Sequence, residues 1–268
     1  ASSNTEVKST LEAYARRDAR IKLVFRESNG HISAASNTAL AMATGSFVAL
    51  LDHDDLLAPH ALYWVADEIL RHPDAEIVYS DEDKINEDGK RLDPYHKPDW
   101  NPQLALSQNF VSHLGVYRTD TLRQVGGFRE EYDGSQDYDL MLRVAARVRP
   151  EQIRHIPTVL YHWRIRPGST ALGHSEKDYA WDAGRRAIED CLSSRGIKAA
   201  VSRSLSPVFY RVHYALPDPA PKVSVIIPTR DRGFLLRRCV ESLLKLSTYK
   251  HFEVIIVDNG STEPAAVD

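Results

Sequence analysis

Three short groups of residues have types and spacing that could do chemistry. The first is Asp52-His-Asp-Asp55, which follows the apolar run Phe47-Val-Ala-Leu-Leu51. In extended backbone, residues two apart point the same way and lie about 7 Å apart. Asp52 and Asp54 can therefore converge on one cation, with Asp55 beside them. Hard oxygen ligands without cysteine suit Mg2+ or Mn2+ rather than zinc. A metal held by two or three carboxylates keeps open positions, and a diphosphate fills such positions well. His53 points away from the pair, toward a packing role. The alternative for Asp55 is to cap the helix that Pro59 opens.

The second group is Gly134-Ser-Gln-Asp-Tyr-Asp-Leu140. Asp137 and Asp139 fall in the first turn of a helix, where the dipole favours negative charge. That is reason enough for either to be structural. A carboxylate there that faces a cleft can also take a proton from a hydroxyl, and Asp137 is the preferred residue for this. The third group is Tyr161-His-Trp-Arg164, with Arg166 two residues on. Imidazole can join a metal and guanidinium can hold phosphate. A satisfied histidine beside a buried tryptophan is an equal alternative. Ser80-Asp-Glu-Asp-Lys84 reads as a solvated turn or a second acidic site.

Elements must position these residues. Ile21 to Phe25 reads as a short strand, and Ile32 to Ala43 as a helix closed at Gly45. Phe47 to Leu51 has the pattern of a strand buried on both faces of a parallel sheet. A helix follows Pro59, then a strand at Ile77 to Tyr79 and a turn at Asp88-Gly89. Residues 91–113, with Pro94, Pro98 and Pro102 among Tyr95, Trp100 and Phe110, read as a loop-rich binding segment. Beyond them come a strand at Gly115 to Tyr117, a helix from Thr119 to the Gly126-Gly127 pair, and a helix from Gln136 to Arg147. Short extended pieces follow at Ile153 to Ile156 and Val159 to Trp163. A long helix runs from Glu176 to Ser194, and strands lie within Lys198 to Tyr214. After the stiff linker Leu216-Pro-Asp-Pro-Ala-Pro221 come a strand at Val223 to Ile227, a helix at Leu235 to Leu246 and a strand at Phe252 to Val257. This alternation predicts an α/β fold with a largely parallel sheet.

Composition narrows the function classes. The 268 residues suffice for one large domain or one and a half ordinary ones. A net charge of −3 gives no basic excess to attract nucleic acid. That counts against a metal-dependent nuclease or nucleotidyltransferase, as does the lack of a phosphate-cradling glycine loop. Cys191 and Cys239 have no metal-ligand spacing and suit a reducing compartment. There is no membrane-length apolar run and no signal-peptide pattern. The opening Ala1-Ser-Ser-Asn-Thr5 lacks methionine and reads as a piece of a longer chain. The loop at Asp258-Asn-Gly-Ser-Thr-Glu263 echoes this opening, as if one unit starts mid-fold and another begins at Lys222.

Leu51-Asp-His-Asp-Asp55, Val125-Gly-Gly-Phe128, Gln136-Asp-Tyr-Asp-Leu140 and Tyr161-His-Trp-Arg164 occur in an order that resembles family 2 glycosyltransferases of the GT-A fold. The nearest resemblance is to bacterial tandem-domain enzymes of O-antigen or rhamnan-type surface polysaccharides, over Ile21 to about Thr170. It implies a Rossmann-like, mostly parallel sheet flanked by helices, and an inverting transferase using a nucleotide-diphosphate sugar with Mn2+ or Mg2+. Asp52 and Asp54 match the Asp-x-Asp element, and His162 a position that helps hold the metal in some relatives. Asp55 and Arg164 fall on the donor side. Asp137 matches the catalytic base, although Gln136 replaces the usual preceding acid. Gly126, Gly127, Phe128, Asp139 and Trp100 fall on the acceptor side, facing a glycan or lipid-linked acceptor. The implied location is cytoplasmic, peripheral at the inner face of the membrane.

The resemblance also implies a division of the chain. Residues 1–197 form a GT-A domain without its first strand-helix-strand, 198–221 an extension and linker, and 222–268 the opening β-α-β of a second domain. Pro228, Thr229, Asp231 and Asp258 match a base-binding wall. Whether 222–268 stands apart or completes the first sheet, within one chain or as a strand-exchanged dimer, stays open. A non-catalytic nucleotide-sugar-binding module is the remaining alternative.

Overall fold

The structure, a computed structural model, describes residues 5–165, 178–206 and 209–263. It divides into two units, Ala1–Tyr214 and Ala215–Asp268. In the first, α1 (Thr5–Arg17) and α2 (His31–Met42) precede β1 (Phe47–Ala49), β2 (Leu56–Leu57) and α3 (Ala61–Arg71). Then come β3 (Ile77–Ile85), β4 (Arg91–Tyr95), α4 (Pro102–Ala105), β5 (Gly115–Arg118) and α5 (Thr119–Gln124). α6 (Gln136–Ala145), β6 (Ile153–Arg164), α7 (Asp178–Ser194), β7 (Ala199–Arg203) and β8 (Tyr210–Tyr214) complete the unit.

The main sheet runs β1-β5-β3-β6-β2, with β4 also on β3. The α/β class holds and the sheet is mixed: β3 and β6 are parallel, and the other pairings of this sheet are antiparallel. β3 is the spine, and its alternation divides the core. Ile77 and Tyr79 join a cluster with Leu122, Leu140 and Ile188, whereas Val78 joins Val65, Val116 and Leu160. That is the two-residue period of a strand covered on both faces.

Several sequence expectations are corrected. Ile21–Phe25 forms no strand; Ile21, Val24 and Phe25 are exposed, and the run finds no ladder partner among the described strands. Phe47–Leu51 is not a doubly buried parallel strand: β1 stops at Ala49, sits at the sheet edge and runs antiparallel to β5. Asp81, Glu82 and Asp83 are no solvated turn, because β3 continues through them and buries all three. The two pieces at 153–163 are one strand whose register against β3 skips Pro157-Thr158. Proline has no N–H for the ladder, so an irregularity there lets pairing resume. The expected helix start at Glu176 lies outside the described residues.

The hairpin β7–β8 packs on α7, and Val201, Tyr210 and Val212 join the first unit's core. In the second unit, β9 (Val223–Thr229), α8 (Gly233–Leu246) and β10 (Phe252–Asp258) form a β-α-β with a parallel two-stranded sheet.

Candidate active site

The chain leaves β1 and turns at once, the Asp55 amide donating to the Asp52 carbonyl at 3.2 Å. The turn brings both carboxylates toward His113, which lies just before β5. Among the described residues these three form a group that could hold a metal ion, their ligand atoms all within 4.8 Å of one another. Asp55 is buried and anchored: one oxygen accepts the Tyr161 hydroxyl at 2.5 Å, the other the Arg164 amide at 2.8 Å. Asp55 therefore holds β6 rather than capping α3, whose N-cap residue is His60. Asp52 is half-exposed at 54%, and its amide donates to the Tyr161 oxygen at 3.3 Å.

His113 is held on every side. Its ring stacks on Tyr161 with centroids 4.5 Å apart, and Trp163 packs against it at 5.2 Å. Nε2 faces Asp52 at 3.9 Å, and Nδ1 faces Glu82 at 3.3 Å. Glu82 also pairs with buried Lys97 at 3.1 Å. Burial opposes the Glu82 charge, but Lys97 and His113 outweigh it and hold the carboxyl at about 2. Burial works to lower His113, yet the Glu82 carboxylate prevails and raises it. Partial desolvation pushes Asp52 up, with Asp55, Asp137 and Asp54 adding to the rise and His113 opposing it. Two carboxylate oxygens plus one imidazole suit Mn2+ well, and Mg2+ through the carboxylates.

Asp137 opens α6 half-buried, and its Oδ2 accepts the Asn109 amide N–H at 2.7 Å. Its charge is felt at both Asp52 and His113. Asp139, one turn-step on, faces the opposite way and is 1% exposed. It accepts from Arg129 at 2.5 Å and from Arg143 at 2.7 and 2.9 Å. Asp139, expected on the acceptor side, is thus a buried clamp between Arg129 and Arg143.

The remaining expected residues are dispersed. Of the expected metal set Asp52, Asp54 and His162, only Asp52 is in the group, because the turn brings the Asp55 carboxylate, not that of Asp54, beside it. His162 alternates with Tyr161 along β6, so it faces away and bonds Asp83 at 2.6 Å. Arg164 Nε donates to the Asp54 carbonyl at 2.7 Å, bracing the acidic turn. Arg166 lies outside the described residues. Gly126 and Gly127 adopt positive φ and stop α5, their amides returning to Arg123 and Leu122. Phe128 is buried and exchanges two 2.8 Å hydrogen bonds with the Asn37 amide. Trp100 packs on Phe110 beside the core. In the second unit, Thr229 and Asp258 end β9 and β10 in register. There Asp231 accepts the amides of Thr262 and Glu263, and Asp258 binds Ser261. Pro228 lies within β9.

Sequence reasoning missed His113, Asn109, Lys97 and the role of Glu82. None has a local spacing to the aspartates. The one available signal was parity: in Tyr161-His-Trp163 the two aromatic rings share a face and the histidine takes the other.

A mixed sheet with a parallel β3–β6 core, an acidic turn after the edge strand and an acid in the first turn of α6 agree with the GT-A fold. S. aureus TarS (residues 1–349) shares this fold with a TM-score of 0.53 at 17% identity, over 72% of this chain and 53% of TarS. The sequence model of glycosyl transferase family 2 matches residues 2–126 and 224–267, together more than half of the chain. The chain belongs to glycosyl transferase family 2. It is 50% identical over 263 residues to the uncharacterized protein y4gI of Sinorhizobium fredii, covering 98% of this chain and 29% of that protein. It is 42% identical over 254 residues to the O-antigen biosynthesis protein RfbC of Myxococcus xanthus, covering 95% of this chain and 20% of RfbC. The chain therefore spans less than a third of either relative. No helix among the described residues is long and apolar enough to cross a membrane.

Proposed function

We propose that the first unit is the catalytic part of an inverting glycosyltransferase. It moves a sugar from a nucleotide-diphosphate donor to a hydroxyl of a glycan or lipid-linked acceptor, in synthesis of a surface polysaccharide. The observation that carries this reading is the convergence of Asp52, Asp55 and His113, with Asp137 close enough to sense them. Similarity to RfbC supports the polysaccharide setting. Those three residues would hold Mn2+ or Mg2+, with Asp54 on the same turn. A bound divalent cation supplies charge that stabilises the departing diphosphate.

The chain's own residues have separable roles. Asn109 fixes one oxygen of Asp137 and leaves the other to take the acceptor hydroxyl's proton while the hydroxyl oxygen attacks the anomeric carbon and the nucleoside diphosphate departs from it. One displacement inverts the centre, so no second carboxylate is needed as nucleophile. Tyr161 and the Arg164 amide hold Asp55, which keeps the acidic turn in one geometry. The Arg164 guanidinium is placed to offset diphosphate charge near that turn. Residues 222–268 are read as the opening β-α-β of a second domain, supported by the separate family match at 224–267. Pro228, Thr229, Asp231 and Asp258, at the carboxyl end of its parallel strands, are its base-binding residues. The workplace is the cytoplasm or the inner face of the membrane.

The test is thermal shift of the chain with a panel of nucleotide-sugars and Mn2+, repeated with Asp52→Ala. A donor that raises Tm only with Mn2+ and intact Asp52 supports the reading. Equal stabilisation in the presence of a strong chelator refutes it.

A further inference from the structure

Lys97 is completely buried, its side chain 0% exposed. An ammonium has three donors, and all three are used here. They go to Glu82 at 3.1 Å, to the Val111 carbonyl at 3.0 Å and to the His113 carbonyl. Two of the partners are backbone oxygens of one segment. That segment carries Asn109, whose amide holds Asp137, and His113, whose ring faces Asp52. It is also closed on itself, the Ser112 amide donating to Asn109 Oδ1 at 3.2 Å.

A buried ion pair is a poor way to fill space, because an apolar side chain of like volume does so without the desolvation cost. What this pair supplies that methionine could not is direction. Glu82 Oε2 lies between Lys97 and His113, accepting the His113 backbone amide at 3.3 Å and facing ring Nδ1 at 3.3 Å. Together with the Ser112 hydroxyl, 3.1 Å from Nδ1, it occupies the Nδ1 side and leaves Nε2 toward Asp52. A carboxylate behind an imidazole is the arrangement that orients metal-ligating histidines.

We propose that Lys97, acting with Glu82, is a positioning residue. It locks residues 109–113 so that His113 serves the cation site and Asn109 serves Asp137. This rests on the reading of Asp52, Asp55 and His113 as the cation site and Asp137 as the base.

The test uses the whole chain without donor sugar. The double variant Glu82→Gln/Lys97→Met removes both charges at similar volume, so neither is left buried alone. Its far-ultraviolet circular dichroism should match wild type. Its Mn2+ affinity, read from the electron paramagnetic resonance of free ion, should fall about 10- to 100-fold. The His113 ring 15N shifts in metal-free protein should move as well. Glu82→Gln alone keeps an oxygen for Lys97 to donate to although it leaves that ammonium without its counter-charge, and, where its circular dichroism matches wild type, it carries the same expectation for the ring shifts. Wild-type Mn2+ affinity in the folded double variant would overturn the proposal. If wild type itself binds no Mn2+, the cation reading fails and the ring shifts decide: unchanged shifts in Glu82→Gln overturn the positioning role.

Discussion

Asp137 and Asp139 stand two residues apart in one helical turn; Asp139 is a buried clamp on two arginines and Asp137 is the proposed base, and substituting each by asparagine separates the two roles. Asp139 accepts charge-assisted hydrogen bonds from two guanidiniums whose side chains are 29% and 18% exposed. Breaking a buried pair costs about 3–5 kcal/mol when the partner charge is left behind. The partial exposure of Arg129 and Arg143, and the oxygen that asparagine retains, put Asp139→Asn near the lower end, about 3 kcal/mol. For a unit of this size that lowers Tm by about 6–12 °C. Asp137→Asn removes one half-buried bond to Asn109 and should cost about 1 kcal/mol. Its turnover should fall by about 100- to 10,000-fold, the usual contribution of a general base. The assay is a calorimetric melt of each variant beside release of nucleoside diphosphate from the donor identified by thermal shift. The reasoning is refuted if Asp137→Asn turns over like wild type, or if Asp139→Asn melts like wild type.

Three further outcomes follow. His113→Ala, which removes a proposed ligand, should weaken Mn2+ binding by tenfold or more while His162→Ala leaves it near wild type; isothermal titration with the ion alone decides. Burial works to raise Asp81, but the Lys97 amide, His155 and His96 prevail, so its folded pKa lies below the ordinary 3.8. It thus adds stability above that value and loses it as pH falls through the depressed one, and urea melts of Asp81→Asn should show a flatter acid limb than wild type. Alanine at Gly126 meets open space at φ +84° and should cost about 1 kcal/mol. At Gly127 it meets Asn37 Oδ1 at 2.4 Å and disrupts the Asn37–Phe128 pair, for about 3 kcal/mol in the same melts.

The sequence by itself determined the α/β class, most helices and the β-α-β at the end of the chain, and it singled out the acidic turn after Leu51 as a candidate site. Those features are written in local periodicity and in punctuation by glycine and proline, which act within a few residues. It also singled out Asp137, because an acid at a helix start has a local signature. It misread Ser80–Lys84, since charges in sequence look solvated, and only packing shows that Lys97, His113, His155, His162 and Arg91 arrive as their partners. It named His162 as neighbour of the aspartates and missed His113, which takes that place. That placement is made by which face of β6 and which end of β5 meet the acidic turn, contacts between residues far apart in the chain. Ligand convergence is a property of register and strand parity across the sheet, and tertiary structure alone fixes it.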